Sequence, residues 1–580
     1  MTIAFQGIGV AASQSVAIGP VHLTGFGMYS AARTPIAPEE VAGELDRLNR
    51  AVAEARHALK LVRAQVTRST PLNIGEFIDA HLMMLEDVAL IDEVRKIIRD
   101  ELYCAEWALQ MQRDTLVGVF DAMDDPYLRT RRDDVEHVVH QIMAFLQGHQ
   151  LQFDPGAKDL EGHVVVTRDL MPADAIVLRH RGAAAFVTEF GGPVSHTAIL
   201  ARSLAVPAVV GVHNITRYVR QGESLIVDGE TGTVLADPDT RTLAYYHARL
   251  GAIEVRRQRL LTLVDRPAVT RDGTTITLLA NLDLPEDAAN ARQNGAVGVG
   301  LYRTEFLYMN RDDLPDEEEH LATYTAIVRA LDGLPLTIRT LDLGLDKRSE
   351  TFPGPSTGPC NPALGLRGIR LCLKEPELLR PQLRAILRAS ALGPIRVMLP
   401  MVTNVQEVET VLAIIAQLKA DLTHEGRTFD PQLPVGAMIE VPAAALAARA
   451  LARRTDFLSI GTNDLIQYTL AIDRLDDTVS YLFDPTHPAI LQLIRTTIAA
   501  GRELATPVAM CGEMAGDPRY TKLLLGLGLR HFSMQPGALL GIKEIILDAD
   551  TRTLEAQTTE LFSRLDDIEP DELLDTINRL

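Results

Sequence analysis

The chain has 580 residues, 47% of them hydrophobic and 23% charged, and a formal net charge of −20, a globular profile too long for one core and divided among several domains. The negative balance excludes a nucleic-acid or anionic-membrane surface, which needs a basic stripe, and leaves a basic protein partner open. No apolar run approaches a membrane span, the start from Met1 to Ser13 lacks the positive region of a secretory signal, and Cys104, Cys360, Cys372 and Cys511 form no Cys-x-x-Cys pair; this predicts a reduced, cytoplasmic protein with neither membrane insertion, disulfide frame nor zinc site.

In chain order, residues 3–30 read as short strands punctuated by Gly7, Gly9 and Gly19. From about Glu39 the period changes. Val41, Leu45, Leu48, Val52, Ala55 and Leu59 recur at alternating steps of four and three, the apolar stripe of an amphipathic helix. Further helical runs at 74–88, 89–101, 105–122 and 133–147 predict an all-helical insert. Strand-like runs return at 164–166, 184–187, 208–210 and 224–227, and the N-terminal strands are expected to rejoin this α/β unit.

Within that unit lies Gly191-Gly192-Pro193-Val194-Ser195-His196-Thr197. The glycines and proline form a turn, and the apolar residues that follow begin a helix. His196 therefore sits beside unsatisfied helix N–H groups, where a phosphate is welcome, and a neutral imidazole is a nucleophile near pH 7. Taken alone, the pattern suits a packed or capping histidine as well as a phosphorylated one.

Residues 240–265 read as a charged, heptad-like connecting helix that ends before Pro267. Beyond it strand and helix alternate, with strand candidates at 275–279, 297–301, 336–341, 395–399, 435–439, 457–460 and 508–510. Either 364–366 or 531–534 supplies an eighth, predicting a (β/α)8 barrel. Polar residues follow the strands: Arg303-Thr304-Glu305, Arg339, Glu440, Asn463-Asp464 and Cys511-Gly512-Glu513, with Arg367 and Arg474 on nearby loops. Any one of these could be a structural ion pair, but their convergence on one rim makes chemical sense. Arginines clamp a small anion carrying phosphate and carboxylate. Glu440 and Asp464 suit Mg²⁺, which keeps waters and takes substrate oxygens. Cys511, with an ordinary thiol pKa of about 8.5, is a protonated acid at neutral pH. Phosphoenolpyruvate fits all of these groups, because loss of its phosphoryl group leaves an enolate that must be protonated.

These residues carry a resemblance. The 191–197 motif, Gly298 to Phe306 (GVGLYRTEF), Ile460 to Asp464 (IGTND) and Met510 to Met514 (MCGEM) resemble, in order and spacing, enzyme I of the bacterial phosphotransferase system over essentially the full chain. The resemblance implies a multidomain α/β protein: a swivelling phosphohistidine α/β domain (1–30 and 148–240) with an all-helical insertion (31–147), a linker helix (241–266), and a C-terminal TIM-type (β/α)8 barrel that binds phosphoenolpyruvate and dimerises (267–580). It implies phosphorylation of His196, substrate binding by Arg303, Arg339, Arg367, Asn463, Asp464 and Arg474, Mg²⁺ on Glu440 and Asp464, and protonation by Cys511. The phosphoryl group would pass to the carrier protein HPr, docked on the insert near Asp79, Glu86 and Asp87, in a stand-alone enzyme with no fused carrier.

Two positions depart from the family pattern. Met171 stands where relatives commonly have Thr, and Leu345 where they commonly have Gly; both leave open how His196 is held. Two other readings remain. A pyruvate phosphate dikinase-like enzyme would need an ATP-binding domain for which no P-loop pattern or length is present. A regulator that binds phosphoenolpyruvate without turnover would need no proton donor at Cys511.

Overall fold

The computed structural model describes the chain apart from residues 1, 11–14, 25–30, 66–71, 86, 122–125, 149–158, 169, 171, 193–196, 199–200, 202–205, 309–312, 344–361, 474–478, 566 and 580. It divides into two compact units, Met1–Ile253 and Glu254–Leu580.

The first unit is built on strands β1 (Ile3–Gln6), β2 (Ile8–Val10), β3 (Val16–Leu23), β4 (Val164–Thr167), β5 (Ala185–Thr188), β6 (Ala208–Val210), β7 (Ser224–Asp228) and β8 (Thr233–Ala236). They form one sheet in the order β1-β8-β7-β3-β4-β5-β6-β2. β4 and β5 bury every residue, as parallel strands covered on both faces do. β3 and β4 are parallel neighbours, Val21 opposite Val164, so the intervening helices are an insertion between adjacent strands. Those helices are α1 (Val41–Gln65), α2 (Leu72–Met84), α3 (Val88–Asp100), α4 (Ala105–Asp121) and α5 (Pro126–Leu146). The predicted stripe on α1 faces inward: Leu48, Ala55 and Leu59 are fully buried with Ile98, Leu109 and Ile142. The same apolar cluster continues into Val165, Phe186 and Ala208 of the sheet, so the insert and one sheet face share a core. Helix α6 (Pro172–His180) follows β4.

Helix α7 (Thr240–Leu261) stops short of the predicted end at 265. The chain continues as tight turns, Leu263 N–H donating to Leu260 C=O. Lys543, itself 3% exposed, donates to the carbonyls of Leu263 and Val264 at 3.0 and 2.8 Å, holding the turns that follow the helix.

The second unit is a closed barrel of parallel strands β9 (Thr277–Leu282), β10 (Val299–Tyr302), β11 (Leu336–Arg339), β12 (Ile395–Leu399), β13 (Val435–Ile439), β14 (Phe457–Ile460), β15 (Val508–Met510) and β16 (His531–Met534). The last strand pairs with the first, Phe532 opposite Leu278. Of the two sequence candidates for the eighth strand, 531–534 fills the place; Pro362–Leu364 is a 3-10 turn. No helix among the described residues is long and apolar enough to cross a membrane.

Replacing Lys543 by Met removes the two hydrogen bonds to the Leu263 and Val264 carbonyls and should destabilise this unit by about 1–3 kcal/mol. A lowered calorimetric Tm is the expected outcome; an unchanged one would show that the two carbonyls find other partners.

Candidate active site

Parallel barrels deliver side chains to the rim where strands end, and the polar residues here obey that rule. Arg303 follows β10, Arg339 closes β11, Glu440 follows β13, Asn463 and Asp464 open the helix Thr462–Leu470 after β14, and Cys511 follows β15. Asp342, which nothing in the sequence singles out, stands three residues beyond the end of β11 and joins the two central arginines. Its carboxylate lies 3.0 Å from Arg339 Nη1 and accepts from Arg367 Nε and Nη2 at 3.0 and 3.2 Å. Glu305 Oε1 accepts from Arg339 Nη2 at 3.0 Å and from the Asp342 backbone N–H at 2.9 Å. Arg367 also reaches Asp464, at 3.5 Å, and the Tyr468 hydroxyl, at 3.3 Å. The turn that aims Arg367 inward needs Gly368, at φ +57°, because a Cβ there would lie 2.9 Å from Met401 Cβ and 3.0 Å from Asp342 Oδ1.

Asp342, Glu440 and Asp464 present carboxylate oxygens within 4.8 Å of one another, all buried. Two guanidinium groups thus face four carboxylates, Glu305 included. Burial, then the proximity of Asp342 and Asp464, pushes the Glu440 carboxyl up to about 8, against the pull of Arg339 and of the Met401 N–H. That N–H donates to Glu440 Oε1 at 2.5 Å from a residue held at φ +57°, a left-handed conformation that costs a side-chain-bearing residue about 1 kcal/mol or more. Excess negative charge in a dry pocket is the electrostatic condition for a divalent cation with oxygen ligands. Beside it, Arg339 Nε is buried with no hydrogen-bond partner among the described residues.

Cys511 lies deeper, 3% exposed, in an apolar cluster with Leu301, Met398, Met438 and Phe457. Burial raises its thiol pKa; the Ser459 hydroxyl, which donates to Sγ at 3.3 Å, and the charges of Arg339 and Arg303 partly offset the rise. The result is a thiol that keeps its proton at neutral pH.

The sequence matches three family descriptions in order: PEP-utilising enzyme, N-terminal, over residues 8–131; the mobile domain of such enzymes over 159–232; and their PEP-binding domain over 257–551. A phosphoenolpyruvate-protein phosphotransferase of Cupriavidus necator is 45% identical over 98% of both chains. One of Staphylococcus carnosus is 39% identical over 96% of this chain and 95% of its own. Among solved structures, an NMR structure of enzyme I is 30% identical over 43% of this chain and 99% of its own, with a TM-score of 0.37. The chain belongs to the phosphoenolpyruvate-protein phosphotransferase family.

Within this phosphotransferase framework the other expected site residues are placed unevenly. Arg303 pairs with Asp283 at 2.5 Å, and Asn463 exchanges two hydrogen bonds with Glu513, at 2.9 and 3.0 Å, so both sit on the rim but are tied to acidic neighbours. Asp79 on α2 is paired with Arg63 at 2.9 Å, which engages its carboxylate within the insert; Asp87 is exposed. His196, Arg474, Glu86, Met171 and Leu345 lie outside the described residues.

Beneath the rim, Gln382 is fully buried. Its Oε1 accepts from the Leu341 N–H at 3.1 Å, and its Nε2 donates to the hydroxyls of Thr304 and Tyr324 at 3.1 and 3.3 Å. Thr304 in turn donates to the Arg339 carbonyl at 3.0 Å. One amide thereby fixes the loops after β10 and β11, which carry Arg303, Glu305, Arg339 and Asp342. A glutamine on the helix Pro376–Ala389 gives no such signal in the sequence, because its partners are remote in the chain.

In metal-free protein, folded Glu440 holds its proton more tightly than the unfolded chain does, so the native state binds more protons between pH 4.5 and about 8. The stability this contributes is fully present below that window and is lost as pH rises through it. A divalent cation binds the ionised cluster, so the rise in Tm on adding Mg²⁺ should grow across the same window, and Glu440→Gln should flatten both trends. Thermal unfolding at several pH values checks this; an Mg²⁺ effect independent of pH would contradict it.

Proposed function

We propose that this phosphotransferase moves the phosphoryl group of phosphoenolpyruvate to His196 and then to a histidine of the carrier protein HPr, releasing pyruvate. The observation that carries the reading is the buried carboxylate–arginine cluster beside a protonated thiol. That set matches a substrate with two anionic groups whose departure product is a carbanion-like enolate.

In the first transfer, Arg303, Arg339, Arg367 and Arg474 bind the phosphate and carboxylate of the substrate, with Asn463 and the backbone around Asp464 completing the contact. Glu440 and Asp464 would hold Mg²⁺, with Asp342 as a third carboxylate, and the ion when bound supplies charge neutralisation for the leaving phosphoryl group. A neutral His196 nitrogen forms the N–P bond as the bond from phosphorus to the enol oxygen breaks. The electron pair left on the enolate takes the Cys511 proton at carbon, giving pyruvate, and solvent restores the thiol. In the second transfer the N–P bond breaks as a carrier histidine attacks the same phosphorus.

We assign the phosphohistidine to residues 1–30 and 148–240, carrier docking to 31–147 and substrate binding to 267–580. His196 has to serve the substrate and the carrier in turn, which assigns the linker helix over 241–266 the role of a hinge. A cytoplasmic protein that dimerises through its barrel fits the same reading, and it rests on the family resemblance.

Intact mass after mixing the chain with phosphoenolpyruvate and Mg²⁺ tests the core of this proposal. The wild type should gain one acid-labile phosphoryl group, lost on chelation of the metal and absent in His196→Ala. Cys511→Ala should slow pyruvate formation by about 10²–10⁴-fold. A folded wild-type protein that gains no mass would sink the assignment.

A further inference from the structure

The helical insert buries a second set of ligating groups that phosphoryl transfer does not use. His81 on α2 and Asp134 and His137 on α5 present ligating atoms within 4.8 Å of one another, and the three residues are 3%, 3% and 8% exposed. His81 Nε2 stands 3.5 Å from Asp134 Oδ1 and has no hydrogen-bond partner among the described residues. The rings of His81 and His137 meet edge to face, centroids 5.9 Å apart. Asp134 and His137 are one helical turn apart and share a face of α5, with His81 opposite.

Helix α6 buries a further carboxyl. Asp174 is 3% exposed, and its Oδ2 has no partner among the described residues. Burial pushes its carboxyl up to about 7, and His137 is the neighbour whose charge opposes that rise. Around these polar groups the core is apolar: Ile78, Leu85, Val138 and Ile142 are each at most 1% exposed. The histidines bind a dication as neutral imidazoles, and the Asp134 carboxylate offsets part of its charge.

We propose that His81, Asp134 and His137 form a binding site for a divalent transition-metal ion of the zinc class, a three-ligand set that leaves the fourth position to water. The mixed nitrogen and oxygen donors select against Mg²⁺, which takes oxygen ligands in an octahedron. A tetrahedral ion with bonds of about 2.0–2.1 Å places its ligands about 3.4 Å apart, close to the His81–Asp134 separation. The cysteine spacing gives no reason to expect zinc, because these ligands are imidazoles and a carboxylate from two separate helices. The ion would cross-link α2 and α5 within the insert. Asp79, two residues before His81, would be steadied by the same ion. None of this depends on the chemistry assigned to the barrel.

The test uses the full chain, stripped with chelator and titrated with Zn²⁺ alone in excess Mg²⁺, which occupies oxygen-only sites. Elemental analysis after gel filtration should find one Zn²⁺ retained per chain in the wild type and in Asp464→Asn. His137→Gln should weaken retention by at least about tenfold, the loss of a direct ligand being no milder than that of an outer-shell partner. Three outcomes would overturn the proposal: no retained Zn²⁺, equal retention by His137→Gln, or loss in Asp464→Asn instead. Should His137→Gln fail to fold, Co²⁺ loading of the wild type decides. Intense visible bands of a four-coordinate ion without a thiolate band are expected, and a weak six-coordinate spectrum overturns the site. Phosphoryl uptake with Mg²⁺ is scored separately, so failure here leaves the functional reading untouched, and the reverse also holds.

Discussion

The rim of the barrel depends on one carboxylate. Asp342 is bound by both Arg339 and Arg367, so one carboxylate bridges two guanidinium groups in a pocket too dry to screen their charges. Its own N–H is spent on Glu305, so backbone and side chain are both committed. The glycine at 368 and the strained Met401 are consequences, each letting backbone approach a point where charge is concentrated. The surplus of carboxylate over guanidinium also orders events. An anionic substrate meets a net-negative pocket until a divalent cation removes the excess or a proton on Glu440 halves it, so neutralisation and substrate binding are coupled by charge alone.

Preorganisation below the rim follows from Gln382. A buried amide with both ends used cannot rotate without leaving a donor or acceptor unsatisfied. Tying the loops after two adjacent strands to a single side chain converts their flexibility into a fixed separation between Arg303, Arg339 and Asp342. Ser459 acts in the same way at a deeper layer, holding the thiol of Cys511 where the apolar cluster keeps it protonated.

Much of this is legible in the sequence. A parallel barrel sends its polar residues to strand ends, so Arg303, Arg339, Glu440, Asp464 and Cys511 stand out against apolar strands. Asp342 does not, because an aspartate beyond a strand end carries no mark of the arginines it will meet. Gln382 is hidden for a related reason. On an amphipathic helix it reads as a boundary residue, and only the pairing of β10 with β11 places its two ends. The end of α7 falls earlier than its sequence pattern suggests, in turns whose carbonyls bind Lys543, a partner beyond the reach of any local pattern. Asp79 reads as a docking acid from charge alone, and its pairing with Arg63 needs the packing of α1 against α2.

The His81, Asp134 and His137 group shows the same limit from the other side. Histidines at helical spacing in an apolar stretch are commonly core residues satisfied by neighbours, so periodicity alone makes them unremarkable. Placing α2 against α5 changes the problem, since three groups that each tolerate burial singly become a cluster whose protons or charges must be shared. The barrel meets that constraint with oxygen ligands and arginines, which suit a weakly held, exchangeable cation and an anionic substrate. The insert meets it with two imidazoles and one carboxylate, which suit a more tightly held ion. Donor chemistry thus separates a pocket built for turnover from one built to hold helices together.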